Sequence, residues 1–536
     1  MARWNACECA LTRPGITQPC QLVSATAASQ PQLCARQLAP SQKLGIERFA
    51  FTGSTSFADV AARVMRGRAG RLSHNGAVHD ASPPPSTHHP VHGAHEADVT
   101  PWRRRLVLWG GGILVGVVAV AFMKLTNLAY ATFAAAIAGR AWLALLITPP
   151  GFALIAWFIS RHMPDARGGG IAEVIAAQDE QSHALSERLV SWRMVLAKFL
   201  LTPLALLTGA SIGNEGPTVQ IGAGIMYTLG KRFGFDDPKA AARFILAGGG
   251  AGLAAAFNAP LAGVMFAIEE LAGAFEHRLS GILIAAVLFS GVVSLGLLGN
   301  YSYFGNVPAS LPLGAGWLAL LVVGVICGLA GGLFARLMLL DIGPLHHLAK
   351  LRTRFPVWFA ATAGLALVAL GLASHGSVYG TGYDQARALL QGAPQNPGES
   401  FGVLKYIANA INVWSGVPGG SLSPALAVGT GLGHNVAHWF PHVAPAAVML
   451  MGMAAYLAGV AQTPLTAAVI CLEITPNQDL ALPILAAALL GRASSALICR
   501  TPMYNVFAAR LTEAYARQRA AEQPRHDECL AQQGPP

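Results

Sequence analysis

Between Lys405 and Glu473 lie 67 residues, Tyr406–Leu472, without a single Asp, Glu, Lys or Arg. A second uncharged run, Leu279–Ala335, spans 57 residues. Runs of this length exceed what a globular core produces, and the longer one suffices for several membrane crossings at roughly 20 residues each. The whole chain agrees. Of 536 residues 53% are hydrophobic and 12% are charged, with mean hydropathy +0.47, whereas an average soluble domain is about 25% charged. With 36 basic and 26 acidic residues the chain cannot build the charged skin of a soluble globule. Soluble globule, nucleic-acid binder and secreted disulfide scaffold are poor readings. An all-α polytopic membrane protein is the natural one.

The net charge of +10 lies largely in the N-terminal tail and short hydrophilic loops. It reads as membrane orientation, with no nucleic-acid partner. Residues 1–99 form a low-complexity extension, typified by Ser82-Pro-Pro-Pro-Ser-Thr-His-His-Pro-Val-His-Gly-Ala-His95, that cannot bury a core and is expected to be disordered. His88, His89, His92 and His95 read as polar linker rather than metal ligands. Met65 offers an alternative start closer to the first apolar run. At Trp102-Arg-Arg-Arg105 the composition changes, and Leu106–Met123 is the first long apolar segment. Three arginines before it place the N-terminus in the cytoplasm. The membrane domain is expected over 100–515 and a short polar tail over 516–536. Polar breaks at Asp165–Glu187, Lys231–Arg243 and Lys350–Arg354 mark loops, while many other helix boundaries show only Gly and Pro, as in broken helices around a buried cavity. No pair among the eight cysteines has zinc-ligand spacing, so reduced, structurally idle thiols are expected.

The hydrophobic region repeats itself, with halves at about 100–300 and 310–510. Pro217-Thr-Val-Gln-Ile-Gly-Ala-Gly224 returns 207 residues later as Pro424-Ala-Leu-Ala-Val-Gly-Thr-Gly431. Pro260-Leu-Ala-Gly-Val-Met-Phe-Ala-Ile-Glu269 returns 204 residues later as Pro464-Leu-Thr-Ala-Ala-Val-Ile-Cys-Leu-Glu473. A repeated membrane protein places its substrate site where the repeats meet.

Three glycine-led helix starts fall in this region: Gly168-Gly169-Gly170-Ile171-Ala172, Gly213-Asn214-Glu215-Gly216-Pro217 and Gly420-Ser421-Leu422-Ser423-Pro424. A helix N-terminus presents free amides carrying about half a positive charge, so several converging ends make an anion site without any buried full positive charge. Glu215 is the one charged residue between Phe199 and Gly230. An acid there is costly unless functional, and its carboxylate can itself occupy an anion site; capping of its own helix is the plainer alternative. Glu269 matches Glu473 and reads as structural. Glu270, opposite Ile474, has no counterpart and is the better proton acceptor, or else a solvated loop-end acid.

On these motifs, and on Phe257-Asn-Ala-Pro-Leu-Ala-Gly263, Ile268-Glu-Glu270 and Leu472-Glu-Ile-Thr475, the chain resembles the CLC family of chloride channels and proton-coupled chloride transporters, from about Trp102 to Thr512. The family's GSGIP, GREGP and GIFAP motifs fall on the three helix starts. The resemblance implies an inverted repeat of two halves with broken helices meeting at a midplane anion site. It further implies a homodimer in the cell membrane with one anion path per subunit. Glu215 resembles the gating glutamate, Glu270 the internal proton glutamate and Tyr504 the tyrosine that caps the central anion. The amides of Ser421 and Leu422 resemble its donors.

Four positions depart from the motifs: Gly169 replaces Ser, Ala172 replaces Pro, Asn214 replaces Arg and Leu422 replaces Phe. Loss of the filter serine predicts weak discrimination between anions. Only 32 residues follow Tyr504, so the prokaryotic type without paired regulatory domains is expected. Chloride/proton exchange is the function implied, with a passive voltage- or pH-gated chloride channel of the same fold as the alternative. The ligands are chloride or other small anions and protons, in a lipid bilayer, with no cofactor or metal. No His-Glu-x-x-His motif suggests an enzyme.

Overall fold

The computed structural model describes residues 101–179, 183–235, 237–272, 281–299, 302–339, 346–393 and 397–532. The extension at 1–99, with its histidines and Cys7, Cys9, Cys20 and Cys34, lies outside them. Contacts divide the chain into two units, Met1–Gly93 and Ala94–Pro536, and every described residue belongs to the second. That unit is helical, and its one β-type contact among the described residues is an isolated bridge.

The first repeat opens with α1 (Pro101–Ile137), α2 (Leu143–His162), α3 (Ile171–Ala176) and α4 (His183–Leu189). It continues through α5 (Trp192–Leu207), α6 (Glu215–Arg232) and α7 (Pro238–Phe257) to α8 (Pro260–Phe266), a π-helical turn (Ala267–Leu271) and α9 (Gly281–Leu298). In the second repeat come α10 (Ala315–Leu339), α11 (His346–Arg354), α12 (Pro356–Ala373), α13 (Tyr383–Leu390) and α14 (Phe401–Ser415). There follow α15 (Leu422–Ala437), α16 (Pro445–Ala461), α17 (Pro464–Ile474) and α18 (Ala481–Ser495). A last helix, α19 (Met503–Gln532), runs on through the segment expected as a polar tail.

Seven helices among the described residues are long and apolar enough to cross a membrane, and the chain is a multi-pass membrane protein. Several boundaries differ from the sequence expectation: Asp165–Glu187, expected as a loop, holds α3 and the start of α4, and Lys231–Arg243 takes in the end of α6 and the start of α7. The first apolar helix extends to Ile137 because no proline interrupts it, and its glycines serve close packing: a Cβ at Gly112 would stand 2.7 Å from the Ala286 carbonyl on α9. Lys350–Arg354, expected as a loop, lies in the short α11.

The halves pack alike. α1 lies on α9 as α10 lies on α18, and α6 on α7 as α15 on α16. Both α7 and α16 end in a left-handed residue, Asn258 (φ 52°) and Gln462 (φ 66°), which turns the chain toward Pro260 and Pro464. Across the junction Glu269 accepts from the amides of Leu465 (3.3 Å) and Thr466 (2.6 Å) at the start of α17. Glu473 accepts from Leu261 (3.0 Å) and Ala262 (2.6 Å) at the start of α8. The two acids do one structural job twice, and the exchange is that of a local two-fold axis. Cys327, Cys471 and Cys499 are buried and unbridged.

Candidate anion site

A second reciprocal pair marks the same relation at the centre. Gly213 donates to the Gly420 carbonyl (2.7 Å), and Gly420 donates to the Gly213 carbonyl (2.8 Å). This bridge holds the starts of α6 and α15 together. The 168–170 loop packs onto both. Gly170 has φ 103°, and a Cβ there would collide with the Gly216 carbonyl, so glycine is required on two counts. Gly169 faces the Gly419 carbonyl, which a Cβ would approach to 3.3 Å. The three glycine-led starts therefore converge backbone to backbone.

Glu215 is fully buried at the first turn of α6. Its carboxylate accepts from its own backbone amide and also crosses the junction, accepting from the hydroxyl of Ser423, with the Ser423 amide 3.4 Å from its second oxygen. These donors sit at the N-terminus of α15, where a negative group is favoured by unpaired amides and the helix dipole. The carboxylate thus stands at a helix start that favours negative charge. The Ser421 hydroxyl, at the N-cap of α15, lies 2.9 Å from the Tyr504 hydroxyl, both buried.

The third start contributes less. The Gly170 amide is already bonded to the Glu173 carboxylate (2.8 Å), and α3 is six residues long. Ala172 lines the cavity below the site, whereas Ile171 and Leu422 are buried in the core and Asn214 turns aside to Thr126 Oγ1 (3.3 Å). Pro217 lies in the first turn of α6, and Pro424, in that of α15, packs beside Gly213. Glu270 stands apart, on the π-helical turn against Thr463, 3% exposed, with Oε2 unpaired among the described residues. The π turn sends Glu269 to α17 and Glu270 inward; in the second repeat α17 stays α-helical through Glu473.

The family model for voltage gated chloride channels matches residues 151–496. The H(+)/Cl(-) exchange transporter ClcA of Yersinia pestis bv. Antiqua (strain Angola) is 31% identical over 438 residues, 76% of this chain and 88% of that protein. The protein of that name from Citrobacter koseri is 30% identical over 458 residues, 80% of this chain and 93% of its own. The chain belongs to the CLC family. Its fold is that of a slow cyanobacterial Cl-/H+ antiporter (TM-score 0.66, 24% identity, 77% of this chain and 98% of that one). A CLC-type fluoride/proton antiporter is similar too (TM-score 0.64, 24% identity, 75% and 98%).

Within this CLC fold several residues escaped the sequence reading. Two buried lysines accompany the helix starts. Lys198 is fully buried and donates to the Gly168 carbonyl (2.8 Å). Lys405, also fully buried, donates to Ser211 Oγ (2.9 Å) and the carbonyls of Val378 (2.9 Å) and Gly380 (2.7 Å). They stand 207 residues apart, the spacing of Pro217 and Pro424, so the repeat itself was the missed signal. Arg167, Arg352 and Arg510 line a cavity of about 340 Å³ that reaches Gly169, Ser421 and Tyr504. Ser421 and Ser423 also stand where the GIFAP motif has Ile and Ala, two further departures.

Proposed function

We propose that this chain exchanges chloride for protons across a cell membrane, with Glu215 as both gate and proton carrier. One observation carries the reading: the Glu215 carboxylate of the first repeat is held by Ser423 at the helix start of the second. Carboxylate and chloride compete for the same donors. Protonation removes the charge that the α15 N-terminus favours, so the neutral acid leaves and an anion takes its place. When the anion moves on, the acid returns and gives up its proton. No covalent step is needed, and the chain is a transporter rather than an enzyme.

Glu270 hands protons to and from the inner side, an internal acid being what such a relay requires. Chloride enters through the arginine-lined cavity. That cavity begins beside Arg167, just beyond the C-terminus of α2, on the side where α1 begins. Arginines concentrated on one face support a cytoplasmic side for it and for the N-terminus. The CLC resemblance supports a homodimer with one anion path in each subunit.

The test is transport by purified protein in liposomes. An outward chloride gradient should drive protons inward against their own gradient, and a pH gradient should shift the reversal potential away from that of chloride. Chloride flux with no proton movement would overturn exchange and leave a passive channel.

A further inference from the structure

The facing filter loops differ in one chemical respect. Gly169 offers no side chain, and nothing but the opposite loop comes near it: an ideal Cβ would stand 3.3 Å from the Gly419 carbonyl and 4.0 Å from Gly420 Cα. On that opposite loop Ser421 is 7% exposed and lines the same cavity as Gly169 and Tyr504. Its Oγ lies 2.9 Å from the Tyr504 hydroxyl oxygen. Two hydroxyls carry two protons, and the bond between them uses one. The other O–H is left to donate, beside the first amides of α15, which have no partner within the helix. A small, strongly hydrated anion that loses its water here gains more from a charge-assisted O–H bond than a large, diffuse one.

We infer that Ser421 is the specificity-determining hydroxyl of the anion path, supplying from the second repeat the side-chain donor that Gly169 lacks. This rests on the anion-transport reading above but not on proton coupling. It reverses the expectation of weak discrimination drawn from Gly169 alone: the donor is relocated across the junction, and the protein prefers chloride to nitrate.

Competition fluxes of chloride against nitrate in liposomes test it. Ser421→Ala should lower the chloride-to-nitrate ratio about fivefold, equivalent to roughly 1 kcal/mol at 1.4 kcal/mol per decade. Ser421→Thr, which keeps the hydroxyl, should hold the wild-type ratio. Should the alanine variant fail to assemble, Ser421→Cys gives the same reading with a weak donor of similar size. Tyr504→Phe separates donation from mere positioning of the tyrosine. A further fall on adding Ser421→Ala to that variant supports a direct donor, and no further fall overturns it. Gly169→Ser in the Ser421→Ala background should restore the preference by returning a hydroxyl to the other side. A wild-type protein indifferent to the two anions, or a Ser421→Ala ratio equal to wild type, overturns the inference. Protons that fail to follow chloride would defeat exchange while leaving the Ser421 ratio intact.

Discussion

Residue 215 opens α6 with a glutamate, and the residue 207 positions on opens α15 with Leu422. Residue 270 puts a second acid on the π-helical turn, and its counterpart is Ile474. Elsewhere the repeats agree in detail: Gly213 with Gly420, Lys198 with Lys405, Asn258 with Gln462, Glu269 with Glu473. The shared residues tie loops, cap helices and turn the chain. Residues found in one repeat alone lie on the proposed path. Two copies of one frame supply rigidity, and directional transport is written where the copies part.

The comparison breaks most visibly at Glu215. Glu215→Gln should bring proton flux to background and leave chloride flux insensitive to pH, because the amide neither carries a proton nor imitates an anion. Wild-type flux should rise as pH falls, since acid neutralises the carboxylate and frees its donors. Undiminished proton flux in the variant would mean that the asymmetric acid is not the carrier.

A smaller effect is expected at Glu270. Glu270→Gln should suppress proton movement while chloride continues, the anion path having no need of it. Equal proton-to-chloride flux in variant and wild type would remove Glu270 from the relay.

Ser423→Ala takes away the one side-chain donor that holds Glu215. A hydrogen bond to a charged group is worth about 1.5–3 kcal/mol, so the closed arrangement weakens. Chloride turnover at neutral and alkaline pH should rise several-fold with proton coupling retained. An unaltered pH profile would show that the amides alone retain the gate.

The smallest effects belong to the shared residues. Glu269→Gln and Glu473→Gln each strip the charge from a helix-start contact worth about 1 kcal/mol. Thermal unfolding in detergent should show two similar, modest losses of stability, with Glu270→Gln near wild type. Unequal losses would show that the two caps are not equivalent.

Much of this was legible in the sequence. Uncharged runs forced a membrane fold, Gly and Pro marked the broken helices, and the repeat separated Glu269 from Glu270. What stayed hidden depends on tertiary proximity. Ser421 and Ser423 are small polar residues with no pattern of their own; Ser423 finds Glu215 only where the two loops meet, and Ser421 finds Tyr504 only where the last helix packs against them. The π turn is a change of helical winding without a composition cue. Lys405 was visible merely as the boundary of an uncharged run, since three neutral acceptors rather than an acid receive it.

Chloride binding at equilibrium, measured by calorimetry on purified protein across a pH range, tests most directly whether carboxylate and anion take turns in one place. Affinity in the wild type should increase as pH falls, and binding should be accompanied by proton uptake, because linkage requires each ligand to favour the other equally. In Glu215→Gln the affinity should be higher at neutral pH and independent of pH. Wild-type chloride affinity that stays constant with pH, with no proton taken up, would contradict the shared site.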